Sequence, residues 1–291
     1  MSHGASQRVH FFKMTGTGND FILIDNRSKR IDSDHCRELV RSACRRKLSV
    51  GADGMILIEN DPDVDFKWRF FNADASEAEM CGNGSRCAAR FAHLTGIVKK
   101  TEMSFRTLAG IIKAEILDGR VKVQMTPPHD LTLGIHVDAD GRPFDLDSVN
   151  TGVPHVVLFV ANEKDLESVD VPRWGRALRF HPRFQPAGTN VNFVLVQGPQ
   201  HISVRTYERG VEGETLACGT GAIASSLIAA AKGGVSSPVK VTTRSGEFLT
   251  VHFHRPPFRR SDTPADFEEV YLEGEARIVY EADLWDETIE R

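Results

Sequence analysis

Two short stretches repeat one pattern and constrain the fold of this chain more than any other feature. Cys81-Gly82-Asn83-Gly84 and Cys218-Gly219-Thr220-Gly221 each place a thiol in front of two glycines. Each is followed by a run rich in alanine and other small residues, which predicts helices over 85–94 and 222–232. Both thiols are therefore expected at helix N-termini, where unpaired backbone N–H groups and the helix dipole bind anions and lower a thiol pKa.

The agreement between the two stretches continues upstream of the cysteines. Glu77 and Glu214 each lie four residues before their cysteine, and Asn72 and Arg209 each lie nine residues before it. Such matching offsets indicate an internal duplication that spans most of the chain. The sequence therefore predicts two halves with one common plan.

The duplication predicts the fold class and the domain organisation. Many short strand-like runs with one central helix per half favour an α+β architecture, in which a curled, mostly antiparallel sheet surrounds that helix. The chain of 291 residues is long enough for two such domains. We expect an N-terminal half over 1–128 that carries Cys81 and a C-terminal half over 129–275 that carries Cys218, with the segment 276–291 returning to the first half.

Composition excludes several classes of function. A hydrophobic content of 41% and a formal net charge of −4 are typical of a globular protein, and they do not favour nucleic-acid binding. No apolar run reaches the ~18 residues that a membrane span needs, and the polar residues 1–7 are untypical of a signal peptide. The protein is expected in the cytoplasm, without a nucleic-acid or membrane partner.

Two thiols in matching helix-cap positions favour acid–base chemistry. Inversion of a stereocentre without redox removes a proton from one face of a carbon and returns a proton to the opposite face. A thiolate and a thiol on either side of that carbon perform both steps. A pyridoxal cofactor would need a lysine near a phosphate-binding loop, and the glycine-rich motifs contain no lysine, so no cofactor is expected. The five cysteines lack zinc-site spacing, so no metal is expected either.

Several further motifs accompany the two cysteine stretches. The full set is Asn19-Asp20-Phe21, Phe71-Asn72-Ala73-Asp74, both cysteine stretches with Arg86-Cys87, Gly188-Thr189-Asn190, and Tyr207-Glu208-Arg209-Gly210. Together these motifs resemble those of diaminopimelate epimerases, in the same order from about residue 12 to about residue 280. The resemblance implies a pseudo-symmetric pair of domains with barrel-like sheets, a homodimer, and the interconversion of LL- and meso-diaminopimelate in lysine and peptidoglycan precursor synthesis. It implies that Cys81 and Cys218 are the acid–base pair.

The resemblance also assigns roles to the residues that match the family's binding positions. Those implied to hold the reacting α-carboxylate are Gly82, Asn83, Gly219 and Thr220. Those implied to contact the distal, non-reacting end of the substrate are Asn19, Asn72, Asn190 and Arg209, and Glu208 is also implied to bind substrate. His155 and Glu208 match residues that tune the pKa values of the thiols. The chain departs from the common pattern at three positions. Thr15 stands in place of a frequent histidine, Gly54 in place of a glutamine found in some members, and Val153 in place of an asparagine found in many.

Other residues are expected to be structural. The carboxylates that brace loops or cap helices rather than contact substrate are Asp20, Asp53, Asp74, Glu77 and Glu214. The spacing of Cys36, Leu39, Val40 and Ala43 predicts an amphipathic helix over 34–46. Two other functions stay open: a two-thiol racemase for another amino acid, such as histidine or proline, and a binding module that captures an amino acid or a soft metal without catalysis.

Overall fold

The computed structural model describes residues 8–256 and 267–285, which divide into two compact units. One unit contains the described residues up to Val123 and from Gly274 onward, and the other contains Gln124–Glu273. Residues 1–7 and 286–291 lie outside the described residues, so the structure does not address the predicted absence of a signal peptide or the last part of the segment 276–291.

Short strands dominate both units. In chain order they are β1 (Val9–Gly16), β2 (Asn19–Asp25), β3 (Gly54–Glu59), β4 (Phe66–Asn72), β5 (Glu102–Thr107), β6 (Gly110–Leu117), β7 (Arg120–Gln124), β8 (His129–Ala139), β9 (Arg142–Asn150), β10 (Pro154–Phe159), β11 (Asn190–Gly198), β12 (His201–Glu208), β13 (Gly213–Thr215), β14 (Val239–Thr242), β15 (Phe248–His254), β16 (Glu268–Glu275) and β17 (Arg277–Leu284). The α-helices are α1 (Ser33–Ala43), α2 (Gly82–Leu94), α3 (Glu163–Ser168), α4 (Val171–Arg179) and α5 (Gly219–Ala231).

The first unit is a curled sheet around α2. Its strands pair in the order β17, β1, β2, β3, β4, β5, β6 and β7, and the pairs β2–β3 and β4–β5 are parallel. The strands β1 and β2 form a hairpin whose two-residue turn, Thr17-Gly18, has positive φ angles of 46° and 88°. Within α2, Cys87, Ala88 and Phe91 are fully buried, because strands face the helix from several sides.

The second unit repeats this topology. Its strands pair in the order β8, β9, β10, β11, β12, β14, β15 and β16, and the parallel pairs are β10–β11 and β12–β14. Its central helix α5 is buried along Gly221–Ala230, including the hydroxyls of Ser225 and Ser226. A helix that is apolar on all sides is stable only inside a core, so the sheet must enclose it. The predicted α+β fold, with a sheet curled around one helix in each half, is confirmed.

Further helices cover the outer faces of the two sheets. The predicted inward residues of α1, including Cys36 and Leu39, pack in one core cluster with Ile22 and Met55. In the second unit α4 packs against Tyr207 so closely that a Cβ at Gly175 would overlap the tyrosine side chain. Among the described residues, we find no helix with the length and the hydropathy that crossing a membrane requires.

Candidate active site

Cys81 is the N-cap of α2, as the sequence predicts. Its backbone is extended, with φ −147° and ψ 117°, and its carbonyl accepts the Ser85 N–H at 2.8 Å. The half-buried thiol accepts the Gly84 N–H at 3.4 Å. The N–H groups of Gly82 and Asn83 precede the first residue able to bond within the helix, so they are available to an anion.

The β1–β2 turn lies directly on the start of α2. A Cβ at Gly16 would come within 3.0 Å of the Asn83 carbonyl oxygen and of the Cys87 Sγ, so the contact requires glycine. Burial raises the pKa of Cys87 to about 12, which keeps that thiol protonated. Of the two cysteines in α2 and its cap, only Cys81 is thus suited to acid–base chemistry.

A chain of side-chain hydrogen bonds runs from α2 to the start of β3. The fully buried Arg86 donates from Nη2 to Asn83 Oδ1 at 2.7 Å and to Thr17 Oγ1 at 3.1 Å. Asn83 Nδ2 donates to Asn19 Oδ1 at 2.6 Å, and Asn19 Nδ2 donates to Asp53 Oδ2 at 2.9 Å. We call Arg86, Asn83, Asn19 and Asp53 the amide relay. It brings together the predicted site residues Asn19 and Asn83.

Charged residues anchor the far end of the amide relay. Arg46 Nη2 lies 2.7 Å from Asp53 Oδ1 and 2.5 Å from Asp20 Oδ1. Lys13 Nζ lies 2.7 Å from Asp20 Oδ2 and also donates to the Gly51 carbonyl. Although burial opposes it, the hydrogen bonds from Arg46 and Lys13 lower the pKa of Asp20. In the structure Asp20 and Asp53 thus brace the loops that precede β2 and β3.

Asn72 lies apart from the amide relay in its hydrogen bonding. It ends β4, and its exposed side chain donates from Nδ2 to Ser76 Oγ at 3.0 Å. Asp74 holds the same serine, since its Oδ1 accepts the Ser76 N–H at 2.8 Å. Glu77 pairs with Arg69 at 3.0 Å. This loop is therefore braced by its own carboxylates, as predicted.

Cys218 is the N-cap of α5, with φ −128° and ψ 112°. Its carbonyl accepts the Ala222 N–H at 2.9 Å, and its Sγ lies 3.5 Å from Thr220 Oγ1. The Thr220 carbonyl in turn accepts the Thr151 hydroxyl at 3.2 Å. Whereas the thiol of Cys81 accepts a backbone N–H of its helix, the thiol of Cys218 lies beside a side-chain hydroxyl of its helix.

His155 lies in the second unit as a buried, neutral imidazole. Asn192 Nδ2 lies 3.1 Å from His155 Nδ1 and donates to it, which places the ring proton on Nε2. Nε2 is buried and has no hydrogen-bond partner among the described residues. Burial, aided by the positive charge of Arg209, lowers the pKa of His155 to about 3.

The remaining predicted residues of this unit gather at one end of β10, β11 and β12. Asn190 begins β11, where its Nδ2 donates to the Pro154 carbonyl at 3.0 Å and its Oδ1 accepts the Arg209 N–H at 2.8 Å. Arg209 also donates from Nη1 to the Ala187 carbonyl at 2.8 Å. Burial raises the pKa of Glu208, the last residue of β12. The side chain of Asn190 is thus committed to the backbone on both sides.

Several residues of these networks were not predicted as site residues, and some had a signal in the sequence. Arg86 is a charged residue inside an alanine-rich helix, and the residue at the same offset from Cys218 is Ile223. Asn192 is likewise a polar residue between apolar neighbours of β11, where its Oδ1 accepts the Thr206 hydroxyl at 2.9 Å. Buried polar residues in apolar elements need specific partners, which marks them for attention.

The departures from the common family pattern have local structural reasons in two cases. A Cβ at Gly54 would lie 2.5 Å from the Phe71 carbonyl oxygen and 2.7 Å from the Phe70 ring, so the backbone and this ring fill the space of a side chain. Thr15 donates from Oγ1 to the Asn19 carbonyl at 3.2 Å, which fixes the end of the β1–β2 hairpin. Nothing in the structure explains Val153.

The part of the chain that the structure describes holds no group of three or more His, Cys, Asp and Glu side chains that could bind a metal ion.

The family model described as Diaminopimelate epimerase matches residues 11–130 and 148–256. A diaminopimelate epimerase of Aquifex aeolicus is 48% identical over 97% of this chain and 100% of its own length. One of a Hydrogenobaculum species is 46% identical over 94% of this chain and 97% of its own length.

Solved structures share the fold at much lower identity. The crystal structure of a Bacillus anthracis phenazine biosynthesis protein of the PhzF family superposes with a TM-score of 0.68, at 14% identity. The match covers 96% of this chain and 99% of that one. At this identity the likeness concerns the fold alone.

Proposed function

This chain belongs to the diaminopimelate epimerase family, and we propose that it interconverts LL- and meso-diaminopimelate without a cofactor, for lysine and peptidoglycan precursor synthesis. The observation that carries the proposal is the pair of thiols, Cys81 and Cys218, each placed as the N-cap of a buried central helix in the same topology. An isomerase that inverts one carbon needs two acid–base groups, and the duplicated fold supplies one in each half.

In the proposed mechanism one cysteine acts as thiolate and the other as thiol. The thiolate removes the α-proton from one face of the substrate carbon, and the thiol protonates the opposite face. The carbanion that forms between the two steps is conjugated with the α-carboxylate, which gathers negative charge. The N–H groups of Gly82, Asn83, Gly219 and Thr220 hold that carboxylate, because each helix N-terminus directs unpaired donors and a positive dipole towards it.

The distal amino acid end selects diaminopimelate over other amino acids. Arg209 offers the planar, bidentate donor that suits a second carboxylate. Asn19, Asn72 and Asn190 complete the recognition of that end, and Glu208 also binds the substrate. His155 and Glu208 tune the thiols: the imidazole is neutral and presents its Nε2–H, and the raised pKa of Glu208 favours its protonated form.

The test is solvent isotope exchange in deuterium oxide. We expect the protein to incorporate deuterium at the α-carbon of diaminopimelate while LL- and meso-forms equilibrate. Cys81→Ala and Cys218→Ala should each abolish epimerisation. Cys36→Ala, which removes a buried thiol of α1, is the matched control and should keep turnover. An unmodified protein that exchanges no α-deuterium, or either site variant with full turnover, would refute the proposal.

The same assay distinguishes the related racemases. The panel adds histidine, proline and lysine, which all lack a second carboxylate. We expect diaminopimelate to exchange much faster than all three, because Arg209 then has its distal carboxylate. Faster exchange of proline or histidine would move the proposal to another amino acid substrate.

We also propose the assembly and the location that the family resemblance implies. We expect a cytoplasmic homodimer that acts on a small molecule and has no nucleic-acid partner. The exposed apolar side chains of Val279 and Tyr280 on β17 would be covered in a dimer. Light scattering after size exclusion should give twice the chain mass of 32.3 kDa, and a monomeric mass would contradict the dimer.

A further inference from the structure

We infer that Asp53 is a positioning residue that presents Asn19 to the substrate as a hydrogen-bond donor and thereby favours a carboxylate at the distal end. The inference rests on the proposed function, in which Asn19 contacts that end. Asp53 is outside the set of residues that the family resemblance assigns to substrate, and it acts through Asn19 alone.

The direction of the amide relay is determined by its two ends. At one end Arg86 has only donors, so Asn83 must turn its Oδ1 towards the guanidinium and its Nδ2 towards Asn19. At the other end the Asp53 carboxylate only accepts, so it takes a proton from Asn19 Nδ2. Neither asparagine can flip its amide without facing donor to donor or acceptor to acceptor.

This direction determines which hydrogen-bonding group of Asn19 is left for a ligand. Its Oδ1 accepts from Asn83 at 2.6 Å, and one Nδ2 proton goes to Asp53 at 2.9 Å. The second Nδ2 proton has no acceptor among the described residues, so Asn19 has an N–H to offer. A flipped amide would offer its oxygen there instead, which repels a carboxylate and attracts an ammonium group.

Asp53 is itself held in place and has no oxygen to spare for a substrate. Its Oδ2 also accepts the Asp20 N–H at 3.2 Å, and its Oδ1 lies 2.7 Å from Arg46. Its backbone N–H and carbonyl bond to the Asp20 carbonyl at 2.9 Å and the Ala73 N–H at 3.0 Å. The residue is therefore a fixed acceptor for the amide relay.

The first variant is Asp53→Asn, which keeps the size of the side chain and turns the pure acceptor into an amide. Asn19, the Asp20 N–H and Arg46 all donate to the Asp53 carboxylate, so the new amide must turn its NH2 group towards one of these donors. Arg86 and Asn83 still keep the Asn19 amide from flipping, but the acceptor that holds its Nδ2 is weakened or lost. We expect KM for diaminopimelate to rise about 10-fold to 100-fold, the range for a lost hydrogen bond to a charged group. We expect kcat to stay within about threefold, because the thiols and their helix amides are untouched. Asp25→Asn, which removes an ion pair with Arg27 at 2.8 Å elsewhere on β2, is the control and should leave both constants unchanged.

The double variant Asn19→Asp with Asp53→Asn separates an effect on substrate binding, read from KM, from an effect on the stability of the fold, read from Tm. It reverses donor and acceptor between the two residues, so it restores the hydrogen bond and should return Tm to the wild-type value. It offers a carboxylate oxygen to the substrate, however, so KM should rise further than in Asp53→Asn. A normal KM in Asp53→Asn, a loss of kcat alone, or recovery of KM in the double variant overturns the inference. An unmodified protein that exchanges no α-deuterium overturns the proposed function and this inference with it, whereas an active protein with an unaffected Asp53→Asn variant overturns the inference alone.

Discussion

The buried imidazole of His155 predicts a measurable loss of stability in mild acid. The pKa of His155 is lowered from 6.5 to about 3 in the folded protein, first by burial and then by the charge of Arg209. Between these two values the unfolded chain binds a proton that the folded chain does not bind. The contribution of the neutral imidazole to the free energy of unfolding is therefore fully present above pH 6.5 and is lost as the pH falls towards 3.

The size of the effect follows from the two pKa values. Between pH 7 and pH 5, preferential protonation of the unfolded chain lowers the free energy of unfolding by about 2 kcal/mol. The assay is urea unfolding of the wild type and His155→Gln at both pH values. The introduced glutamine cannot titrate, and its amide oxygen can accept the proton of Asn192 Nδ2, so the variant should lose about 2 kcal/mol less than the wild type over this interval.

The comparison between the two proteins isolates the histidine from the carboxylates. Glu208 has a raised pKa in the folded state, so it acts with the opposite sign and adds stability as the pH falls. That contribution is present in both proteins and cancels in the difference. If both proteins lose the same free energy between pH 7 and pH 5, His155 is not the neutral, buried group described here.

Two further predictions concern burial. Iodoacetamide at pH 8 should alkylate Cys81 and Cys218 in the folded protein and spare Cys87, because a thiol with a pKa of about 12 is ionised to about one part in ten thousand at that pH. Peptide mass spectrometry before and after unfolding in urea measures the labelling of each cysteine. Labelling of Cys87 before unfolding would contradict the prediction. Gly175→Ala should lower the free energy of unfolding by about 1–3 kcal/mol, because the Cβ of the introduced alanine would overlap Tyr207. Urea unfolding measures this loss. An unchanged midpoint would contradict the prediction and show that α4 moves aside without strain.

The sequence predicted best those features that depend on local signals. The thiol followed by two glycines predicted both helix starts, and the helices end at Leu94 and Ala231, within one residue of the expected 94 and 232. They begin at Gly82 and Gly219, three residues earlier than expected, because the glycines themselves form the first turn. The amphipathic helix α1 was also predicted, but it ends at Ala43 rather than at 46.

Features that depend on pairing between distant segments were missed. The hairpin β8–β9 and the helix α4 were not predicted, and α4 owes its position to Tyr207, far along the chain. The amide relay joins Asn83 to Asn19 across 64 residues and Asn19 to Asp53 across 34. No local pattern encodes such contacts, since each depends on which strands become neighbours. The substrate contacts of Asn72 and Asn190 stay predictions, and the structure shows only their protein partners.

The comparison of equivalent positions explains why the duplication is visible at some offsets and hidden at others. Asn19 and His155 both lie three residues after a matching glycine, Gly16 or Gly152, at the start of a strand beside the central helix. One position carries an amide held by a carboxylate and another amide, and the other carries a neutral imidazole held by an asparagine. The glycines and the helix caps recur in both halves, where they constrain the backbone: Gly16 packs against Asn83, Gly152 has a positive φ of 102°, and a cysteine caps each central helix. In the proposed function Asn19 contacts the distal end of the substrate and His155 tunes a thiol, so these two side chains have no reason to match although the halves share a fold.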